Sequence, residues 1–131
     1  MMQITSSRRG FVRMTMEAPG DISTIIMDAV SGDAARGMVV ELYRISGDKA
    51  GKVVRVLTGE DGRADLIASG PVPLGSYELR FQLDFRKQGV AVGDPAFLDF
   101  VPIRFSVTEP AGHYHVPLIC TPWGYSTYRG S

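Results

Sequence analysis

Tyr77-Glu78-Leu79-Arg80-Phe81-Gln82-Leu83-Asp84 alternates apolar and polar residues without a break. Successive side chains on a strand point to opposite faces, so this period of two predicts a strand with one buried and one wet face. Ile103-Arg104-Phe105-Ser106-Val107-Thr108 repeats the pattern. Less regular β-branched runs at Ser23–Met27, Met38–Ile45 and Val53–Leu57 read as further strands. Turn signals fall between them: Ser31-Gly32-Asp33, Ser46-Gly47-Asp48, Glu60-Asp61-Gly62, Pro71-Val72-Pro73-Leu74-Gly75 and Glu109-Pro110-Ala111-Gly112. Short strands at this spacing predict an all-β sandwich. A helical turn or two is expected only after Asp84, through Arg86-Lys87-Gln88.

At 131 residues the chain is read as one domain. A chain of this size buries about two thirds of its unfolded surface, enough for one modest core. With 44% hydrophobic and 21% charged residues it falls among ordinary globular proteins and outside the disordered class. Lys and Arg balance Asp and Glu at 14 each, so no basic face for nucleic acid is expected. No apolar run approaches membrane-spanning length, and no membrane partner is expected. Residues 1–20 contain Arg8, Arg9 and Arg13 but no apolar stretch of the signal-peptide kind. They are read as a loosely ordered N-terminal extension of a cytoplasmic protein, with the domain proper at 21–131. The single cysteine, Cys120, permits no intrachain disulfide and leaves the redox compartment open. Lying in an apolar run, it reads as a small buried hydrophobe rather than a nucleophile.

The C-terminal residues concentrate the chemistry. Both histidines of the chain lie in His113-Tyr114-His115-Val116-Pro117-Leu118, followed by Pro122-Trp123-Gly124-Tyr125-Ser126-Thr127-Tyr128-Arg129-Gly130-Ser131. Termini without tertiary ties fray, whereas one rich in aromatics, hydroxyls and an Arg is expected to pack into something. On a strand, His113 and His115 share a face, the core or a site. His-X-His is also a metal pair, but there is no third His and no acidic residue at ligand spacing, so no metal is expected. Ser126 and Thr127 lack a Gly-X-Ser-X-Gly elbow and are not read as nucleophiles.

This stretch resembles the C-terminal signature of the transthyretin-like family, in its 5-hydroxyisourate hydrolase branch, with Trp123 where Tyr is common. Transthyretin itself lacks the paired histidines and the Tyr-Arg-Gly-Ser ending. The resemblance covers roughly residues 21 to 131. It implies a two-sheet antiparallel β-sandwich with one short helix, and a homotetramer whose sites lie in a channel at the dimer–dimer interface. It also implies a small cyclic substrate and no cofactor. Ile22-Ser23-Thr24-Ile25-Ile26-Met27-Asp28 matches a family pattern with His at the fourth position, which here is Ile25. Thr58-Gly59-Glu60-Asp61-Gly62-Arg63 carries the family's Arg at Arg63. The catalytic set implied is His115, Arg63 and Tyr128, with Ser131, Ile25 and His113 around the substrate. Read without the resemblance, His113 is a structural histidine, Arg63 a solvated turn residue and Arg129 a terminal anchor. Phe97-Leu98-Asp99-Phe100 stands where the family often has Phe-Tyr-Pro-Glu.

Opening a cyclic amide needs a base for water, donors for the oxyanion and an acid for the leaving nitrogen. A histidine serves as base or acid near neutral pH, and the Arg fork fits a planar, oxygen-rich ring. With Ile25, His115 alone would carry the proton transfers. Three functions are expected to compete. The first is a 5-hydroxyisourate hydrolase of purine breakdown. The second is a diverged enzyme that opens or closes another small ring in a specialised biosynthetic pathway. The third is a non-catalytic small-molecule binder.

Overall fold

The structure is a computed structural model that describes residues 18–130, together with the strand backbone of Ser6–Arg8 (β1) and Gly10–Val12 (β2). These two pair as an antiparallel ribbon within the expected extension, most of which lies outside the described residues.

Two sheets face each other, as the alternating runs predict. The first has the order β6-β5-β8-β9, formed by β5 (Val39–Ser46), β6 (Lys49–Leu57), β8 (Gly75–Gln82) and β9 (Phe100–Val107). It is antiparallel throughout. Val40, Leu42, Tyr77, Leu79, Phe81 and Val101 point inward and are essentially inaccessible. Its outer face is wet but knitted. Glu78 accepts from Arg80 Nε at 2.7 Å and Arg104 Nη2 at 3.0 Å, and Glu41 accepts from Lys52 at 2.8 Å. The Arg80 guanidinium lies 3.8 Å from the Tyr43 ring centre.

The second sheet is built around β3 (Asp21–Asp28). One edge of β3 pairs antiparallel with β7 (Arg63–Ile67) and the two-residue β4 (Asp33–Ala34). The other edge pairs with β10 (His113–His115) and then β11 (Leu118–Thr121), and β12 (Gly124–Thr127) completes the sheet on β11. The architecture is the expected antiparallel sandwich, and within this sheet β10 and β11 run parallel to β3. A parallel neighbour requires a long crossover, and here the other sheet supplies it. The expected helix is one 3-10 turn, Phe85–Gln88, with Asp84 accepting from Arg86 N at its start.

β3 alternates except at Ser23, which is buried as well. Ile22, Thr24, Ile26 and Asp28 are fully buried toward the opposite sheet, so Ser23, Ile25 and Met27 belong to the outer face. Tyr114 plugs inward beside Ile22, and its hydroxyl accepts from Thr108 N and Glu109 N at 3.0 Å each. That tie fixes β10 at the corner leaving β9, and so fixes the histidines on either side of Tyr114.

Candidate active site

The outer face of the second sheet collects most of the expected residues. His115 is the register partner of Ser23 on β3, and Ser23 is in turn opposite Asp65 on β7. Two residues further along β3, Ile25 is opposite Arg63. Directly opposed residues on antiparallel strands have Cβ atoms about 5 Å apart. Ile25, Arg63 and His115 therefore share one small area, with Ser23 and Asp65 beside them.

Arg63 is held there by its turn. Gly62 has φ 78°, and a Cβ on it would stand 2.6 Å from the Ile26 carbonyl oxygen. Only glycine permits both the backbone and the approach. Gly62 O accepts from Ile26 N at 2.9 Å, and Asp61 Oδ1 accepts from Arg63 N at 3.0 Å. The turn is thus fastened to β3, and the exposed Arg63 side chain starts from a fixed base.

His115 is half-buried, with its Nδ1 2.9 Å from Ser23 Oγ. Gly130 lies over the other side of the ring. Its N–H donates to His115 O at 2.8 Å, and a Cβ at this position would meet His115 Cδ2 at 2.7 Å. With Nδ1 taken by Ser23 and Cδ2 covered by Gly130, Nε2 is the nitrogen available to a ligand. Burial pushes the imidazole below its ordinary pKa, and the Arg63 guanidinium adds to this. Asp21 and Asp65 pull the other way with smaller effect. At neutral pH the group is a neutral base.

The remaining expected residues are not all gathered at this centre. His113 is exposed and its Nδ1 is 2.9 Å from Asp21 Oδ1, a contact that ties the starts of β10 and β3. Tyr128 follows β12, is 58% exposed, and lines an apolar cleft between the sheets with Ile103, Phe105, Tyr114 and Val116. Ser131 lies outside the described residues. Arg129 is an anchor, donating to His113 O at 3.1 Å with its guanidinium 4.4 Å from the Tyr114 ring centre. Cys120 is buried, and burial with the nearby Asp28 carboxylate pushes its thiol up to about 12.

Ser23, Asp65 and Gly130 belong to this site yet are absent from the sequence-based set. Period-two spacing from Ile25 and Arg63 identifies the first two, since side chains two apart share a face. The Phe97–Phe100 loop takes part elsewhere. Asp99 and Phe100 line a larger hollow with Asp84, Arg86 and Asp94, and none of the site residues borders it. Phe97 packs on Trp123 at 5.9 Å between ring centres, so two departures from the family pattern meet. Among the described residues no cluster of three His, Cys, Asp or Glu could hold a metal ion.

Fold and site together define a β-sandwich protein with an imidazole and a guanidinium on the outer face of one sheet. Residues 22–130 match the model of the HIUase/Transthyretin family. The chain belongs to that family. It is 48% identical to a 5-hydroxyisourate hydrolase of Deinococcus radiodurans, over 86% of this chain and 97% of that one. It is 43% identical to 5-hydroxyisourate hydrolase 2 of Rhizobium meliloti, over 88% of this chain and all of that one. Among solved structures, the 5-hydroxyisourate hydrolase of Klebsiella pneumoniae superposes with a TM-score of 0.70 at 32% identity, covering 86% and 99% of the two chains. An (S)-allantoin synthase superposes with a TM-score of 0.78 at 36% identity, and the match covers 88% of this chain and 45% of that one.

Proposed function

We propose that this protein is a hydrolase that opens the ring of a small cyclic purine-derived compound, of which 5-hydroxyisourate is the leading example. The observation that carries the proposal is the juxtaposition of a neutral His115, with Nε2 available, and Arg63 on one face. Relatives bearing the hydrolase name at 43–48% identity support it. In this reading His115 Nε2 takes a proton from water, and the resulting hydroxide oxygen bonds to a ring carbonyl carbon. The C–N bond then breaks, and the imidazolium returns its proton to the departing nitrogen. Arg63 holds the carbonyl oxygen as negative charge develops on it. Tyr128 and Ser131 are assigned to the substrate on the family pattern alone, and His113 holds the strand that carries His115.

Ile25 favours a second reading. It places an apolar wall opposite Arg63 where the family pattern has an imidazole. One histidine then serves as both base and acid. The loss of one such group typically costs roughly 10²–10⁴ in rate. A substrate that is less polar at that edge would recover binding from the wall, and the protein would then be a diverged enzyme acting on another small ring. The reading also takes residues 21–131 as the functional domain, assembled as a homotetramer in the cytoplasm with the site faces toward a channel between dimers.

The test is an ultraviolet assay with 5-hydroxyisourate generated freshly from urate by urate oxidase. Decay above the spontaneous rate, lost in His115→Ala, is the expected result. Decay at the buffer rate in the unaltered protein, with a gain on Ile25→His, would move the assignment to the second reading. Decay at the buffer rate in both would remove the hydrolase assignment.

A further inference from the structure

Resting on the reading of His115 as the base, we infer that Ser23 is the positioning residue that sets the tautomer of this imidazole. Ser23 lies in β3 as the register partner of His115, and the residue is 6% exposed. Its hydroxyl oxygen is 2.9 Å from Nδ1. A hydroxyl can donate or accept, and only one choice survives the proposed proton cycle. As the base, His115 needs its lone pair on Nε2, so Nδ1 carries the hydrogen and Ser23 Oγ accepts it. When Nε2 takes a proton from water, Nδ1–H stays in place and the same hydrogen bond persists. A Ser23 that donated to Nδ1 would lose its bond on every turnover and would leave Nε2 protonated at rest.

The partner's chemistry also suits the site. A carboxylate behind the ring would raise its pKa, whereas a neutral hydroxyl fixes the tautomer and leaves the charge balance to the surroundings. Arg63 lies on the neighbouring strand β7 and disfavours the imidazolium, while Asp21 on β3 and Asp65 on β7 favour it weakly. Gly130 lies against the ring from the terminal side, where any side chain would press on it, since a Cβ there would stand 2.7 Å from His115 Cδ2.

The experiment compares ring ¹⁵N shifts of His115 by NMR in the unaltered protein, Ser23→Ala and Ser23→Thr, with turnover measured in parallel. The expected result is an Nδ1–H tautomer in the unaltered protein and in Ser23→Thr. Ser23→Ala should shift toward the Nε2–H form that free histidine prefers. Outer partners of metal-bound imidazoles typically carry about 10–100-fold, and taking that factor as the guide, kcat should fall by about as much in Ser23→Ala with KM little changed, and Ser23→Thr should restore it. An Nε2–H tautomer in the unaltered protein, or a tautomer indifferent to Ser23→Ala, overturns the inference. The NMR readout needs no substrate, so a protein inactive on 5-hydroxyisourate but showing the tautomer shift would refute the substrate assignment and leave the role of Ser23 standing.

Discussion

Gly130→Ala is a one-carbon change whose effect can be worked out from the site. The added Cβ would stand 2.7 Å from His115 Cδ2. Carbon atoms in contact prefer about 3.5–4.0 Å, so roughly 1 Å must be found. If the ring turns away, Nδ1 leaves Ser23 Oγ, now at 2.9 Å. If the terminal strand lifts instead, the 2.8 Å bond from Gly130 N to His115 O is lost, and Gly130 moves off the ring. The second route sacrifices one exposed-edge hydrogen bond, about 0.5–1.5 kcal/mol, which lowers Tm by only a few degrees in a domain of this size. Function is hit harder, because a displacement of about 1 Å at a working group can cost on the order of 10²-fold. The expected outcome is therefore a well-folded variant with Tm within about 5 °C of the parent and turnover of 5-hydroxyisourate reduced roughly 10- to 100-fold. Calorimetry and the ultraviolet assay measure the two together. Turnover within twofold of the parent, with unchanged His115 ring shifts, would refute the argument that the terminal strand clamps the imidazole.

Other consequences can be checked with the same protein. Turnover should rise with pH as His115 becomes neutral, and because burial and Arg63 lower its pKa, the midpoint of that acid limb should fall below 6.5; a midpoint above 7 would contradict it. Ile25→His should raise kcat/KM toward 5-hydroxyisourate by roughly 10²-fold if the missing acid–base group limits the rate, as paired rate measurements would show. Glu78 is held below its ordinary pKa by the Arg80 hydrogen bond. Its contribution to stability is thus present above the unfolded carboxylate value and is lost as pH falls through the lower folded one. Urea titrations from pH 6 to pH 2 should show a shallower acid loss in Glu78→Gln. Cys120 should resist a thiol-reactive dye in the native protein and react on unfolding, since its thiol is buried with a pKa near 12.

The strands were legible where period two runs long enough. Tyr77–Asp84 marks most of β8, and Ile103–Thr108 marks the later part of β9, which begins three residues earlier at Phe100. Arg63-Ala64-Asp65-Leu66 alternates too, with Ala64 and Leu66 buried, but five residues beside a turn do not stand out by period alone. The parallel course of β10 and β11 was not legible, because strand direction depends on the route of the intervening chain and leaves no mark on local pattern. The site divides similarly. His115, Arg63 and position 25 could be placed because each sits in a recognisable motif. Ser23 and Gly130 matter only through register and contact with His115, and the Ser23 partner is 92 residues away. Local sequence does not encode such a pairing until the fold supplies it.

The parallel pairing of β3 also bears on how the protein is made. β3 is the centre of its sheet, yet the neighbours on one of its edges, β10 and β11, come from residues 113–121. A nascent chain that has released only the first hundred residues can close the β6-β5-β8 hairpins and lay β7 on β3. It leaves Ile26 without its Leu118 partner and one edge of the sheet's central strand open. Open edges of this kind recruit other chains. Pairing across so long a sequence separation is also slow compared with local hairpins. Emergence of the C-terminal segment therefore closes this open edge in the same event that brings His115 to Ser23.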